Sequence, residues 1–396
     1  MLDFSISVPL GTYVALSAVM FLEYAVWGAW APVLAARLLG PLKMSGKQTG
    51  WVYATLPIAC IVSPLVSGQL ADKYVNTEWI LAAAHLIGAV LLLVAVRMQT
   101  FRGMFWAMML YSLCYAATLP LANSVLFVHV ADDATQSKVF IWAPVAWALV
   151  GYFLTGWRNL RKTESDGSDC LLVAAVLSLL MAAACLALPK TAPAQVGGVP
   201  IVDAFGKLAN ADFLVFILTS LVVAGMMQFY FLGTARFMTD IGISSRNVPA
   251  SMGIAQAAQA IATVAVLGPV LGAIGYPWTL TAGAACWAVL YVAYVKGRPP
   301  ALIVGSQVLH GLAYVLFMIV GQKYAGKVGP EIPGSMQALI FAATTGVGLF
   351  LGTQLAGAVM DRCSVAGKFQ WQKIWMVPLG IVLAGTLVLA TLFQGK

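Results

Sequence analysis

Charge is what this 396-residue chain has least of. Only 9% of its residues are Asp, Glu, Lys or Arg and 61% are hydrophobic, whereas soluble domains run at about 25% charged and about 45 to 50% apolar. Fourteen acids and 22 bases cannot coat a soluble core of this size, so the composition excludes a soluble globular fold and leaves a polytopic membrane protein. The net charge of +8 sits in scattered loops, and no basic cluster is interleaved with aromatics, which excludes a nucleic-acid partner. With three histidines in all, no set of nucleophile, base and orienting group can be assembled, and the chain is not expected to be an enzyme. Of six cysteines, Cys60, Cys114, Cys185 and Cys286 fall in apolar runs, and Cys170 and Cys363 lie near loops. No Cys-x-x-Cys or Cys/His ligand spacing occurs, so neither a disulfide framework, nor a metal site, nor a cofactor is expected. Residues 1–12 lack a basic stretch and a small-residue cleavage site, and nothing there marks a removable signal peptide.

Apolar runs are what the chain has in abundance. A membrane-spanning helix needs about 20 apolar residues, and twelve runs qualify, near 13–36, 49–70, 79–97, 103–128, 139–157, 171–188, 213–236, 249–273, 278–296, 301–324, 334–359 and 374–393. Most connections are short and polar, such as Lys43 to Lys47, Asp132 to Lys138 and Lys323 to Lys327. The exception, Pro189 to Asp212, is rich in Pro and Gly and parts six spans from six. The expected architecture is all-α: twelve transmembrane helices in two six-helix bundles, residues 1–188 and 213–396, joined by a central linker over 189–212.

One run carries a carboxylate. Phe21-Leu-Glu-Tyr-Ala-Val-Trp-Gly-Ala-Trp-Ala-Pro32 sets Glu23 well inside the first span, the only one of the fourteen acids so placed. A charge near mid-membrane costs at least about 2.5 to 3.5 kcal/mol, so such an acid faces a cavity, a partner or a proton path. Trp27 and Trp30, four and seven residues on, share its helical face, which reads as the wall of a polar cavity. The alternative is a protonated Glu bonded to a neighbouring helix. Glu23 is the first candidate for carrying a proton; His310, four residues before Tyr314 in the tenth span, is the second, because imidazole titrates near neutrality. His85 reads as a helix-packing donor, and His129 with Asp132 and Asp133 as a solvated loop. Gly348 and Gly352 are spaced for close helix packing.

Gly68-Gln-Leu-Ala-Asp-Lys73 follows the second span and Gly268-Pro-Val-Leu-Gly-Ala-Ile-Gly275 the eighth, the same place in each half. Both resemble the loop signature of the major facilitator superfamily, Gly-x-Leu-x-Asp-Arg-x-Gly, whose acid and base tie helix ends together. The first copy keeps Asp72 and has Lys73 for Arg; the second keeps the glycines but has Gly272 and Ala273 where charges belong. This resemblance implies two repeats flanking a midplane substrate site, with both termini cytoplasmic. That topology leaves Lys73, Lys138, Lys190, Lys207, Lys323, Lys327 and Lys396 inside and 15 of the 22 basic residues outside, against the positive-inside tendency.

Within that superfamily, Phe21-Leu-Glu-Tyr-Ala-Val-Trp-Gly-Ala-Trp30 resembles the opening helix of the nucleoside:proton symporter family. The similarity continues through Ala71-Asp-Lys-Tyr-Val-Asn-Thr-Glu-Trp79, His85-Leu-Ile-Gly-Ala89, Tyr115-Ala-Ala-Thr-Leu-Pro-Leu-Ala-Asn123 and Trp371-Gln-Lys-Ile-Trp375. It implies a permease for nucleosides or similar small polar solutes, working by alternating access as a monomer in the lipid of a bacterial inner membrane, with protons as the coupling ion. The family's site lies between the halves. Position by position, Gln228 matches a seventh-span glutamine, Gln256 and Gln259 match an eighth-span Gln-x-x-Glu pair, and Tyr314 and Tyr152 fall where the family has aromatics at the substrate. Glutamine amides suit a base edge or ribose hydroxyls, and Gln256, Gln259 and Thr263 share a face; the same amides also serve helix-to-helix bonding. Four positions depart from the family: Val145 stands for a fifth-span Arg, Val315 for a tenth-span Asp, Phe231 for a seventh-span Asn and Gln259 for the acid. Losing the Arg and Asp together leaves neither as an unpaired membrane charge and removes the family's coupling pair. The alternatives are a facilitator or symporter for another solute, such as a sugar or nucleobase, and a non-transporting sensor on a transporter fold.

Overall fold

The computed structural model of the chain describes residues 6–31, 34–39, 41–44, 46–161, 167–193, 199–243, 248–365 and 368–396. Pro32, Ser45 and residues 1–5 and 194–198 lie outside the described residues. Twelve long helices carry the described chain, as the apolar runs predict. They are α1 Leu10–Trp30, α2 Gly46–Lys73, α3 Thr77–Arg97, α4 Phe101–His129, α5 Trp142–Arg161 and α6 Asp169–Cys185. The second six are α7 Ala211–Asp240, α8 Val248–Ala265, α9 Leu267–Lys296, α10 Pro300–Val328, α11 Pro333–Met360 and α12 Trp371–Leu392. Ten are long and apolar enough to cross a membrane; α6 and α8 are shorter, at 17 and 18 residues. Helices satisfy every backbone N–H and C=O internally, which a hydrocarbon environment demands. The one strand pairing among the described residues is a two-residue hairpin, Ser364–Val365 against Lys368–Phe369, between α11 and α12.

One boundary differs from the sequence expectation and another falls where the sequence puts it, each for a local reason. Lys323 to Lys327, read as a connection, forms the last turns of α10, where Lys323 is 6% exposed. The eighth run continues from α8 through the residues before Gly275, and the helix breaks at Gly275, with φ 68° and ψ −178°, in the gap between the eighth and ninth runs. That backbone conformation is essentially restricted to glycine, and Thr279 Oγ1 donates to the Gly275 carbonyl at 2.6 Å. The last glycine of the second loop motif is therefore where the chain turns.

The chain divides into two compact units, Met1–Ala204 with Gly329–Ala342, and Phe205–Val328 with Ala343–Lys396. In the first, α1 packs on α5 and α6, α2 on α4, and α3 on α4 and α6; the first half of α11 packs on α2 and α4. Asp72, at the end of α2, accepts the backbone N–H groups of Gly334 and Ser335 at the start of α11. A carboxylate there satisfies orphan donors and meets the positive end of the helix dipole. The start of the linker is fastened to the same unit: Thr191 N–H donates to Glu78 Oε2 at 3.0 Å and Thr77 N–H to the Thr191 carbonyl at 3.1 Å. In the second unit, α9 packs on α12, α8 on α10, and α7 on α12 and the second half of α11. A Cβ on Gly225 would lie 2.6 Å from the Gly348 carbonyl, and one on Gly352 would overlap the Gly225 carbonyl. The Gly-x-x-x-Gly pair thus brings α7 and α11 together backbone to backbone, as its spacing predicts.

Candidate functional site

In the first unit the polar centre forms around Glu23. Helix α1 can approach α5 closely because Gly28 has no side chain: a Cβ there would sit 3.0 Å from Val150 Cγ1 and 3.2 Å from Trp147 Cα. Glu23 is 0% exposed. Its Oε2 lies 2.8 Å from His85 Nε2 on α3, its Oε1 accepts from Thr118 Oγ1 on α4 at 2.8 Å, and its carbonyl accepts from Tyr115 Oη at 2.7 Å. His85 Nδ1 is in turn 3.1 Å from Ser178 Oγ on α6, and that hydroxyl is 2.9 Å from the His85 carbonyl. The expected cavity wall is corrected: the carboxylate is enclosed by four helices and bonded across them. Burial of an acid in a membrane demands such partners.

In the second unit α7, α8 and α10 converge at His310 and Gly311. A Cβ on Gly311 would come 2.6 Å from Gln259 N, so α10 lies on the backbone of α8 at that point. Tyr230 of α7 stacks on the His310 ring, centroids 3.8 Å apart, and Phe231 meets it edge-on at 5.8 Å. Trp287 of α9 donates its indole N–H to His310 Nδ1 at 3.2 Å. An indole nitrogen only donates, so Nδ1 is an acceptor and the imidazole is neutral, with its hydrogen on Nε2. Adding a proton at Nδ1 would break this bond inside an aromatic box, which argues for His310 as a packing imidazole.

Around this convergence lie the predicted contact residues of the second unit. Gln228 precedes Phe231 by one turn and is half-buried, as is Gln256; Gln259 is 7% exposed. The side-chain amides of all three find no hydrogen-bond partner among the described residues. Thr263 Oγ1, on the same face, donates to the carbonyl of Gln259 and not to its amide. Tyr314, half-buried, opens a π-helical stretch, Tyr314–Ile319, and π turns are frequent at functional sites. Val315 is fully buried and Val145 half-buried. Tyr152 belongs to the first unit, where it is 76% exposed and packs little against its own helices.

His129 is not the solvated loop residue expected: its Nε2 bonds Thr191 Oγ1 at 2.9 Å, while Asp132 caps the helix Asp133–Phe140 through Thr135 N–H at 2.7 Å. Sequence reasoning missed His85 as the partner of Glu23 and Trp287 as the partner of His310. A signal for the first existed, since an acid inside a span needs a partner and His85 lies inside another span. Nothing local marks the second.

The sequence matches the family model described as nucleoside H+ symporter over residues 10–396. The chain is 26% identical to the nucleoside permease NupG of Escherichia coli (strain K12) across a 404-residue alignment that covers 96% of each. The crystal structure of nucleoside transporter NupG superposes with a TM-score of 0.71 at 24% identity, covering 97% of this chain and 100% of that one. That of FucP, a major facilitator superfamily transporter, superposes with a TM-score of 0.74 at 11% identity, covering 95% and 97%. These likenesses extend over the whole length, and they fit a many-helix membrane chain. The chain is a membrane transporter with the major facilitator fold and belongs to the nucleoside H+ symporter family.

Proposed function

We propose that the chain carries nucleosides or closely similar polar solutes across a bacterial cytoplasmic membrane by alternating access, as a monomer in lipid with both termini in the cytoplasm. The observation that carries this reading is the set of uncommitted amides on Gln228, Gln256 and Gln259. Among the described residues these amides are bonded to no neighbouring helix and none is sealed from accessible space, so they are available to a polar guest. A nucleoside supplies one: base edge and ribose hydroxyls meet the amides, and its flat ring suits Tyr314. Val145 and Val315 favour a second reading, a facilitator or symporter for a sugar or nucleobase, since no fixed charge is present at either position.

Uptake by the purified protein in proteoliposomes, with a panel of radiolabelled nucleosides, nucleobases and sugars at two external pH values, tests the proposal. Saturable uptake of nucleosides, competed by other nucleosides and weakly by sugars, is the expected result. Saturable uptake of sugars or nucleobases alone transfers the assignment to the second reading. No uptake of any member of the panel by folded protein overturns both and leaves a sensor.

A further inference from the structure

We propose that Glu23 and His85 hold one exchangeable proton in common, and that this pair in the first unit is where proton flow is coupled to solute movement. The coupling half of the proposal rests on the transporter reading above; the shared proton does not.

Counting hydrogens leads there. Ser178 has one hydroxyl hydrogen and two partners, the His85 carbonyl at 2.9 Å and His85 Nδ1 at 3.1 Å; given to the nearer carbonyl, that hydrogen leaves Ser178 Oγ to accept from Nδ1–H. With Nδ1 protonated, the 2.8 Å contact between His85 Nε2 and Glu23 Oε2 contains a single proton that belongs to either atom. One location makes imidazolium with carboxylate; the other makes neutral imidazole with carboxylic acid. Both have zero net charge, and the proton belongs to the pair rather than to either residue.

Thr118 is built to suit either location. Its one hydrogen faces two acceptors, Glu23 Oε1 at 2.8 Å and the Tyr115 carbonyl at 2.7 Å. It donates to Oε1 whether the shared proton sits on Nε2 or on Oε2, because Oε1 is an acceptor in both, so every group stays bonded with every heavy atom in place.

The surroundings make the pair the place where a proton resides. His85 is the only ion-pair partner of Glu23 among the described residues. Tyr111 and Tyr115 on α4 and Cys185 on α6 also feel its charge, and Tyr24 on α1 and Cys60 on α2 act on Tyr115. On α5 the one described titratable side chain, Tyr152, is 76% exposed. Asp133 and Lys138 belong to the short helix that meets α1 at Tyr13, ten residues and about 15 Å along the helix from Glu23. Tyrosines and thiols ordinarily hold their protons at neutral pH, which leaves the carboxylate and the imidazole. Removing the shared proton would strand a bare carboxylate, and adding another would strand a cation. Either charge is costly in a sealed apolar site, so exchange requires the α1, α3, α4 and α6 seam to open to water. That requirement ties protonation to conformation.

The test uses full-length parent, Glu23→Gln and His85→Gln in proteoliposomes, with tritiated uridine as probe. The parent should accumulate uridine under an inward proton gradient; Glu23→Gln should lose accumulation while exchange across equilibrated membranes persists. Gradient-driven accumulation by Glu23→Gln with the parent's pH dependence overturns the proposal, as does a parent that exchanges uridine without accumulating it. Infrared difference spectroscopy during deuterium exchange of the folded proteins reads the shared proton without any solute. A carboxyl or imidazolium band that is sensitive to deuterium exchange in the folded parent and is removed by both Glu23→Gln and His85→Gln is expected. If uridine does not move and this band is present, the transport reading fails and the shared proton stands. A parent with no band that both variants remove overturns the shared proton.

Discussion

Asp72 and Ser335 are 263 positions apart and bonded at 2.6 Å, the carboxylate of one accepting the backbone N–H of the other while Gly334 N–H reaches the second carboxylate oxygen at 2.9 Å. The first loop motif therefore acts as a helix cap delivered from a distant part of the chain. An added Cβ on Gly68 would lie 2.8 Å from the Gly334 carbonyl, so the first glycine of the motif supplies the close approach and the aspartate uses it.

Replacing that cap removes a charged acceptor from two otherwise orphaned donors. Asp72→Ala should destabilise the protein by about 1 to 2 kcal/mol, and Asp72→Asn by less. Thermal unfolding of the purified variants in detergent measures this; an Asp72→Ala melting temperature equal to the parent's would show that the cap contributes nothing.

The α7–α11 contact tolerates no side chain. Gly352→Leu should destabilise by about 1 to 3 kcal/mol or prevent folding, because overpacking here drives backbone against backbone. Gly357→Ala is the control, since nothing lies within 4 Å of its added Cβ. Monodispersity on size exclusion and the melting temperature of both variants decide it: equal behaviour would remove the close approach as a packing requirement.

For recognition, Gln256→Ala and Gln259→Ala should each weaken binding of the transported solute by roughly three- to tenfold, corresponding to one lost hydrogen bond of about 0.5 to 1.5 kcal/mol. Equilibrium binding to detergent-solubilised protein reads it. Unchanged affinity in a folded Gln256→Ala protein would take that amide out of the site.

Asp132 offers a pH-dependent contact outside the spans. Burial pushes its carboxyl up, but hydrogen bonds from Ser7 and Thr135 outweigh this and hold it below its ordinary 3.8. A carboxyl depressed in the folded state contributes stability that is present above pH 3.8 and is lost as pH falls through the folded value. The parent should melt above Asp132→Asn at neutral pH, and the gap should close on acidification below pH 3.8. A gap that is constant with pH would assign the difference to packing.

Much of the candidate site in the second unit was legible because it is local: Gln256, Gln259 and Thr263 share a face by helical periodicity alone, and Tyr314 follows His310 by one turn. Their lack of bonded partners was not legible, since helix-to-helix bonding is the alternative reading of the same amides and depends on what faces them. The same limit applied to His310. Its place in an apolar span suggested titration, and only the indole of Trp287, supplied by another helix, makes its Nδ1 an acceptor.

By itself the sequence determined the class, the twelve spans and the lone carboxylate within a span. All of these follow from apolar content and run length. The tertiary structure decided what the carboxylate touches. Glu23 meets His85 from 62 positions away and Thr118 from 95, and His85 meets Ser178 from 93. Those partners depend on which helices become neighbours and on their rotation about their own axes. Helical periodicity states which residues share a face, but interhelical packing alone selects the face that each one meets.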